Sequence, residues 1–181
     1  MRRRSLLPST GPKEQEQGKF RLSDDLILVG EKAASREELL GKLAGLLGQK
    51  GYVKESFLQA LLEREKAYPT GLQTSIMGVA IPHTDTEHVV KPALAIATLK
   101  EPLPFRAMDN PQKEIPVELV IVMAIKEPSM QLKSLQKIME ILQDEKMLSK
   151  IRQAQNAGEI LAALEKHFAD EGCDSDVGVK H

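Results

Sequence analysis

Val117-Glu118-Leu119-Val120-Ile121-Val122-Met123-Ala124 is nearly all apolar and rich in β-branched side chains. A run this short and this continuous reads as a strand with both faces covered, as at the centre of an α/β sheet. Two further runs upstream, Ala93–Leu99 and Val79-Ala80-Ile81, supply neighbours for it, and Leu26-Ile27-Leu28-Val29 is a shorter first candidate. Between Glu101 and Pro116 the chain is proline-rich and is expected to form a loop.

Helices flank these strands. Ser35-Arg36-Glu37-Glu38 is a capping box, in which the Ser hydroxyl and the Glu38 carboxylate satisfy orphan N–H groups. Leu39, Leu40, Leu43, Leu46 and Leu47 then share one helical face until Gly48 and Gly51 stop the helix. A second helix places Phe57, Leu58, Leu61 and Leu62 inward, carries Glu63, Arg64, Glu65 and Lys66 near its end, and stops at Tyr68-Pro69. After Lys126-Glu127-Pro128 a third helix is expected, with Leu132, Leu135, Ile138, Met139 and Leu142 on one face; a last one carries Ile160, Leu161, Leu164 and Phe168. Helices, strands, then helices predict an α/β fold, a three-layer α/β/α sandwich around a mixed parallel/antiparallel sheet.

Composition narrows the function classes. At 181 residues one domain with tails is expected: a polar tail over 1–19, a folded part over 20–169 and a small, acidic tail over 170–181. Net charge is −1, with no Trp and two Tyr, so no basic, aromatic-laced face for nucleic acid is expected. The one cysteine, Cys173, has no intrachain partner, which excludes a disulfide scaffold and favours a reducing compartment. Met1-Arg2-Arg3-Arg4 is followed only by Ser5-Leu6-Leu7-Pro8, too short for the apolar core of a signal peptide. No run approaches the ~20 apolar residues that span a bilayer. A cytoplasmic protein is expected.

The chemistry is concentrated in Gly78-Val79-Ala80-Ile81-Pro82-His83-Thr84-Asp85. Pro82 has no N–H to give a sheet and so ends the strand. His83 follows at once, an imidazole at the rim of a sheet beside a hydroxyl and a carboxylate. Four readings stand open for it. It can be a histidine that only caps a strand. It can bind metal with Asp85 and His88, although a further ligand at suitable spacing is missing. It can serve a Ser/His/Asp hydrolase with Ser75 and Asp85, although no G-x-S-x-G elbow is present. Or the ring itself can be a nucleophile toward phosphorus. The last reading needs one free ring nitrogen, the other held as a donor, and donors for the phosphoryl oxygens. Arg64 suits that task, because a guanidinium grips such oxygens bidentately; alone it reads equally as a solvated helix-end cation. Thr70 and Thr84 can add hydroxyl donors or merely shape turns. His167 and His181 lie in or near the tail and read as bland.

Taken in order, Arg64-Glu65, Tyr68-Pro69-Thr70-Gly71-Leu72 and Gly78-Val79-Ala80-Ile81-Pro82-His83-Thr84 resemble the IIA domain (EIIA) of the bacterial phosphotransferase system, fructose/mannitol type. Leu119–Ala124 and Met130-Gln131-Leu132-Lys133-Ser134-Leu135 extend the resemblance to about residues 22–168. It implies that His83 takes a phosphoryl group from the histidine-phosphorylated carrier HPr on its tele nitrogen and passes it to a IIB protein. It implies that sugar is phosphorylated later, during uptake through the membrane IIC permease, with no cofactor and no metal in the IIA step. Arg64 matches the family's active-site arginine, with Thr70, Thr84 and Asp85 in support. Mannitol- and fructose-type members usually carry a second histidine where this chain has Gln131, which can donate a hydrogen bond but cannot carry charge. Gln131 resembles the galactitol-like branch, whose IIA is often a separate small protein. That resemblance makes a galactitol-like polyol or sugar the expected eventual substrate; the alternative is a regulatory relative of the nitrogen-related branch, phosphorylated at the same histidine and acting by protein binding.

Overall fold

The structure is a computed structural model that describes residues 21–168. The expected tails, with Cys173 and His181, lie outside the described residues, as does the side chain of Phe168. Five strands form one sheet: β1 (Ile27–Glu31), β2 (Gly71–Gln73), β3 (Gly78–Ala80), β4 (Ala93–Arg106) and β5 (Glu114–Ala124), in the spatial order β1-β4-β5-β3-β2. β4 and β5 are antiparallel, β1 joins β4 in parallel, β3 joins β5 in parallel, and β2 closes the edge antiparallel to β3. This is the mixed sheet expected, and its central strand is the run that opened the reading.

Alternation along the strands sorts side chains by size. Leu94 and Ile96 of β4 and Leu119, Ile121 and Met123 of β5 face one side. There they meet α3 (Pro128–Gln143), α4 (Glu145–Gln153) and α5 (Ala157–Phe168), through Ile138, Ile141, Leu148, Ile151, Ile160 and Leu164. Ala93, Ala95 and Ala97 of β4 and Val120, Val122 and Ala124 of β5 face the other side. Against them lie α1 (Arg36–Gln49) and α2 (Phe57–Ala67), through Leu39, Leu40, Leu43, Leu47, Phe57 and Leu61. The three layers follow directly from this period-two alternation.

The capping box acts as read at the first helix, whereas Gly48, read as a stop, lies inside α1. Ser35 Oγ accepts from the Glu38 N–H at 3.1 Å and Glu38 reaches back to the Ala34 N–H at 3.0 Å. Gly51 takes φ +78°, the left-handed turn that ends such a helix and that an L side chain resists.

Two further expectations are corrected, and two elements were not foreseen. The stretch Glu101–Pro116 is not a loop, because β4 runs on to Arg106 and β5 starts at Glu114. Pro102, Pro104 and Pro116 belong to a period-two pattern in which Leu103, Phe105 and Ile115 are buried, and only residues 107–113, with Pro111, connect the two strands. Pro104 faces Pro116 across the ladder, and since neither can donate, that pair occupies a position that exchanges no N–H bonds. On α3 the buried side chains are Ser134, Ile138, Ile141 and Leu142, whereas Leu132 is 66% exposed and Met139 is also exposed. Two apolar stripes run side by side on this helix, and periodicity does not tell which of them meets the sheet. Helix α4, capped by Asp144 Oδ1 on the Met147 N–H at 3.1 Å, and the short edge strand β2 were not anticipated. Among the described residues no helix is long and apolar enough to cross a membrane.

Candidate active site

β3 and β5 are parallel, so their C-terminal ends open on the same edge of the sheet, where reacting groups gather in α/β folds. The chain leaves β3 through Ile81-Pro82-His83. The Pro82 carbonyl accepts from the Met123 N–H at 3.0 Å, and His83 bridges in parallel to Met123, so pairing continues past the proline through its acceptor alone. Gly78, at the start of β3, is packed so closely that an added Cβ would overlap the Pro116 carbonyl oxygen. The strand carrying His83 is therefore pressed against β5 at both ends.

His83 is half-buried, and its Nδ1 lies 2.9 Å from the Ile81 carbonyl oxygen. A carbonyl only accepts, so in the neutral ring Nδ1 carries the hydrogen and Nε2 keeps its lone pair. Both nitrogens thus have the assignments that a ring nucleophile needs.

Thr70 is 4% exposed, and its hydroxyl is committed: Oγ1 accepts from the Ile81 N–H at 3.2 Å and donates to Glu65 Oε2 at 2.8 Å. The Thr70 N–H donates to Glu65 Oε1 at 3.0 Å. Glu65 was read as one of the charges at the helix end, yet it is only 7% exposed. Burial raises its carboxyl from 4.5 to about 7, against the opposing pull of the two Thr70 hydrogen bonds and the Arg36 charge. The signal was present in the sequence: Phe57, Leu61 and Glu65 recur every four residues on the face that packs inward.

Arg64 precedes Glu65 in the last turn of α2 and is half-buried, with its guanidinium carbon 4.5 Å from the centre of the exposed Tyr68 ring. Among the described residues it forms no ion pair, which leaves its N–H fork open. Gln131 lies in the first turn of α3, which begins four residues beyond β5 at the His83 edge, and is half-buried. Thr84 is buried, and Asp85 is exposed and leads into a 3-10 turn over Thr86–His88.

The rival readings find little in this arrangement. Ser75 Oγ donates to Glu145 Oε1 at 2.7 Å, which ties its turn to α4 and away from Asp85. His88 Nδ1 sits 2.8 Å from Ser56 Oγ, before α2, and its Nε2 lies 3.3 Å from the Glu87 carboxylate. No cluster of three or more His, Cys, Asp or Glu side chains able to hold a metal occurs among the described residues.

Comparison with known proteins bears on the same region. The family model for the phosphoenolpyruvate-dependent sugar phosphotransferase system, EIIA 2, matches residues 21–167. The 2-O-alpha-mannosyl-D-glycerate-specific EIIABC component of Escherichia coli (strain K12) is 32% identical over 146 residues, 78% of this chain. That match spans only 21% of the relative's length. The galactitol-specific EIIA component of the same strain is 31% identical over 100 residues, 55% of this chain and 66% of that protein. Among solved structures, the Escherichia coli complex of enzyme IIA of mannitol with phosphorylated enzyme IIB matches with TM-score 0.67 and 26% identity. It covers 81% of this chain and 99% of that one. With sheet, helices and the His83 edge all inside the matched span, the chain belongs to the EIIA 2 family of the phosphoenolpyruvate-dependent sugar phosphotransferase system, a family of phosphotransfer proteins.

Proposed function

We propose that this protein is a cytoplasmic phosphocarrier in which His83 is the phosphorylated residue. The Nε2 lone pair attacks the phosphorus of phospho-HPr; as the new N–P bond forms, the old P–N bond breaks and its electron pair returns to the HPr ring. The hydrogen stays on Nδ1, donated to the Ile81 carbonyl throughout, so the positive charge that develops on the ring is stabilised by a fixed dipole. Transfer to a IIB protein repeats the step with His83 as the leaving group. Arg64 holds the phosphoryl oxygens, helped by the Gln131 amide, by Thr84 and by backbone N–H groups; Thr70, with its hydroxyl already committed, supports the site through Ile81, and exposed Asp85 lies at its rim. Since Gln131 brings no second imidazole, Arg64 carries the cationic part alone.

The observation that carries this reading is the 2.9 Å contact from His83 Nδ1 to the Ile81 carbonyl, which leaves Nε2 free at the sheet edge. Exposed Tyr68 and Leu132, on the elements that frame this edge, suit a partner-binding face. The IIB seen with the mannitol relative supports IIB as the acceptor, and a membrane IIC permease would follow it in the same chain of transfer. The galactitol relative and Gln131 favour a galactitol-like polyol as the eventual substrate.

The test is phosphotransfer from phosphoenolpyruvate through enzyme I and HPr. One acid-labile, base-stable phosphate per chain is expected, absent in His83→Ala. Label that persists on the folded variant would refute the assignment.

A further inference from the structure

We infer that Glu65 and Thr70 act as a positioning pair for His83, setting the tautomer of a ring that neither of them touches. Three links run in series: Glu65 Oε2 to Thr70 Oγ1 at 2.8 Å, Thr70 Oγ1 to the Ile81 N–H at 3.2 Å, and the Ile81 carbonyl to His83 Nδ1 at 2.9 Å; a fourth bond, Glu65 Oε1 to the Thr70 N–H at 3.0 Å, anchors the first. A threonine hydroxyl has one hydrogen. With Glu65 ionised, that hydrogen points to Oε2 and a lone pair points to the Ile81 N–H, so every group is satisfied. Ile81 then has both backbone groups fixed, its N–H by Thr70 and its C=O by the imidazole. Pro82 adds no donor, and its carbonyl is held by the Met123 N–H. The direction in which the Ile81 carbonyl points is set by these anchors, and that carbonyl is what places the ring hydrogen on Nδ1.

The pair is sensitive to protons. Behind Glu65 lies a cavity of about 350 Å³, lined by Arg36 and Glu37 of α1, Glu63 and Lys66 of α2 and Arg106 of β4. These are the charged groups that face the carboxyl, and the cavity gives it a route to solvent. A protonated Glu65 would donate to Thr70 Oγ1 and leave the buried hydroxyl hydrogen without an acceptor, an unsatisfied donor whose cost favours a shift of the hydroxyl away from its present alignment on the Ile81 N–H. Burial, which raises this carboxyl to about 7, brings that change near neutral pH.

The consequence for rate rests on His83 being the phosphoryl acceptor; the tautomer does not. The experiment therefore reads both in the full chain. Imidazole ¹⁵N shifts of the unphosphorylated protein report the His83 tautomer, and rapid-quench labelling from phospho-HPr reports uptake. Wild type is expected to hold Nδ1–H. Glu65→Gln, whose amide donates where the carboxylate accepted, and Thr70→Val are each expected to mix the tautomers and to slow uptake by about tenfold, the scale of a small misplacement. Thr70→Ser is expected to keep both properties of the wild type. Folded Glu65→Gln and Thr70→Val proteins with the wild-type tautomer and rate would overturn the inference, and so would loss of the fold in both, which would make the pair purely structural. Absence of label on wild-type His83 would instead count against the phosphocarrier reading and leave the tautomer result standing.

Discussion

Raising the pH from 5 to 8 is expected to destabilise this fold through Glu65, with Glu65→Gln as the control. The folded carboxyl titrates near 7 and the unfolded one near 4.5, so between these values the folded state binds the extra proton. Stability from this group is therefore fully present below about 4.5 and is lost as pH rises through about 7. At 1.36 kcal/mol per pH unit the whole gap is worth about 3 kcal/mol, a sizeable part of the 5–15 kcal/mol that roughly bounds a domain's stability. Urea unfolding at half-unit steps, run in parallel on wild type and Glu65→Gln, isolates it, because the other titrating groups cancel in the difference. The free-energy difference between the two should move by about 3 kcal/mol against wild type over the range, at constant m-value, and level off above pH 8. A difference that stays flat would refute the argument that burial governs this carboxyl, and an opposite slope would mean that its Thr70 hydrogen bonds outweigh desolvation.

Other outcomes follow from the same contacts. Gly78→Ala should lower stability by about 1–3 kcal/mol or more in a thermal melt, since its Cβ would overlap the Pro116 backbone as well as the Ile115 side chain; an unchanged melt would mean that β3 and β5 part easily. Arg64→Ala should slow phosphoryl uptake by well over about tenfold while costing at most about 1 kcal/mol of stability, the value of one exposed cation–π contact. Equal rates would remove the guanidinium from the mechanism. Gln131→His should fold with a melt within about 0.5 kcal/mol of wild type, because the position is half-buried in the first turn of α3. A larger loss would make the amide structural.

The parts legible in the sequence were those where one physical rule acts alone. Val117–Ala124 could only be a covered strand, the capping box at Ser35 and Glu38 could only open a helix, and Pro82 could only close the pairing of its own N–H. Legibility failed where two rules met. Pro102, Pro104 and Pro116 look like loop residues until Leu103, Phe105 and Ile115 are seen to alternate with them. On α3, Leu132 and Met139 belong to an apolar stripe as good as the one that packs, and the choice is made by the sheet, not by the helix. At the candidate site, His83 and Arg64 stood out by residue type. Glu65 did not, because its charge suggests solvent while its spacing after Phe57 and Leu61 puts it in the core.

The sorting of side chains between the two sheet faces has a consequence for how this protein can drift in sequence. Under α1 and α2 the sheet offers Ala93, Ala95, Ala97 and Ala124, and the space above them is filled by Leu39, Leu40, Leu43, Leu47, Phe57 and Leu61 of the two helices. A larger side chain at one of those alanines would press on these helices, and α2 carries Arg64 and Glu65 in its last turn. Under α3, α4 and α5 the packing is made of Leu, Ile and Met, which can exchange volume among themselves. Substitutions should therefore be tolerated more readily on the Leu, Ile and Met side than at the alanines beneath α1 and α2.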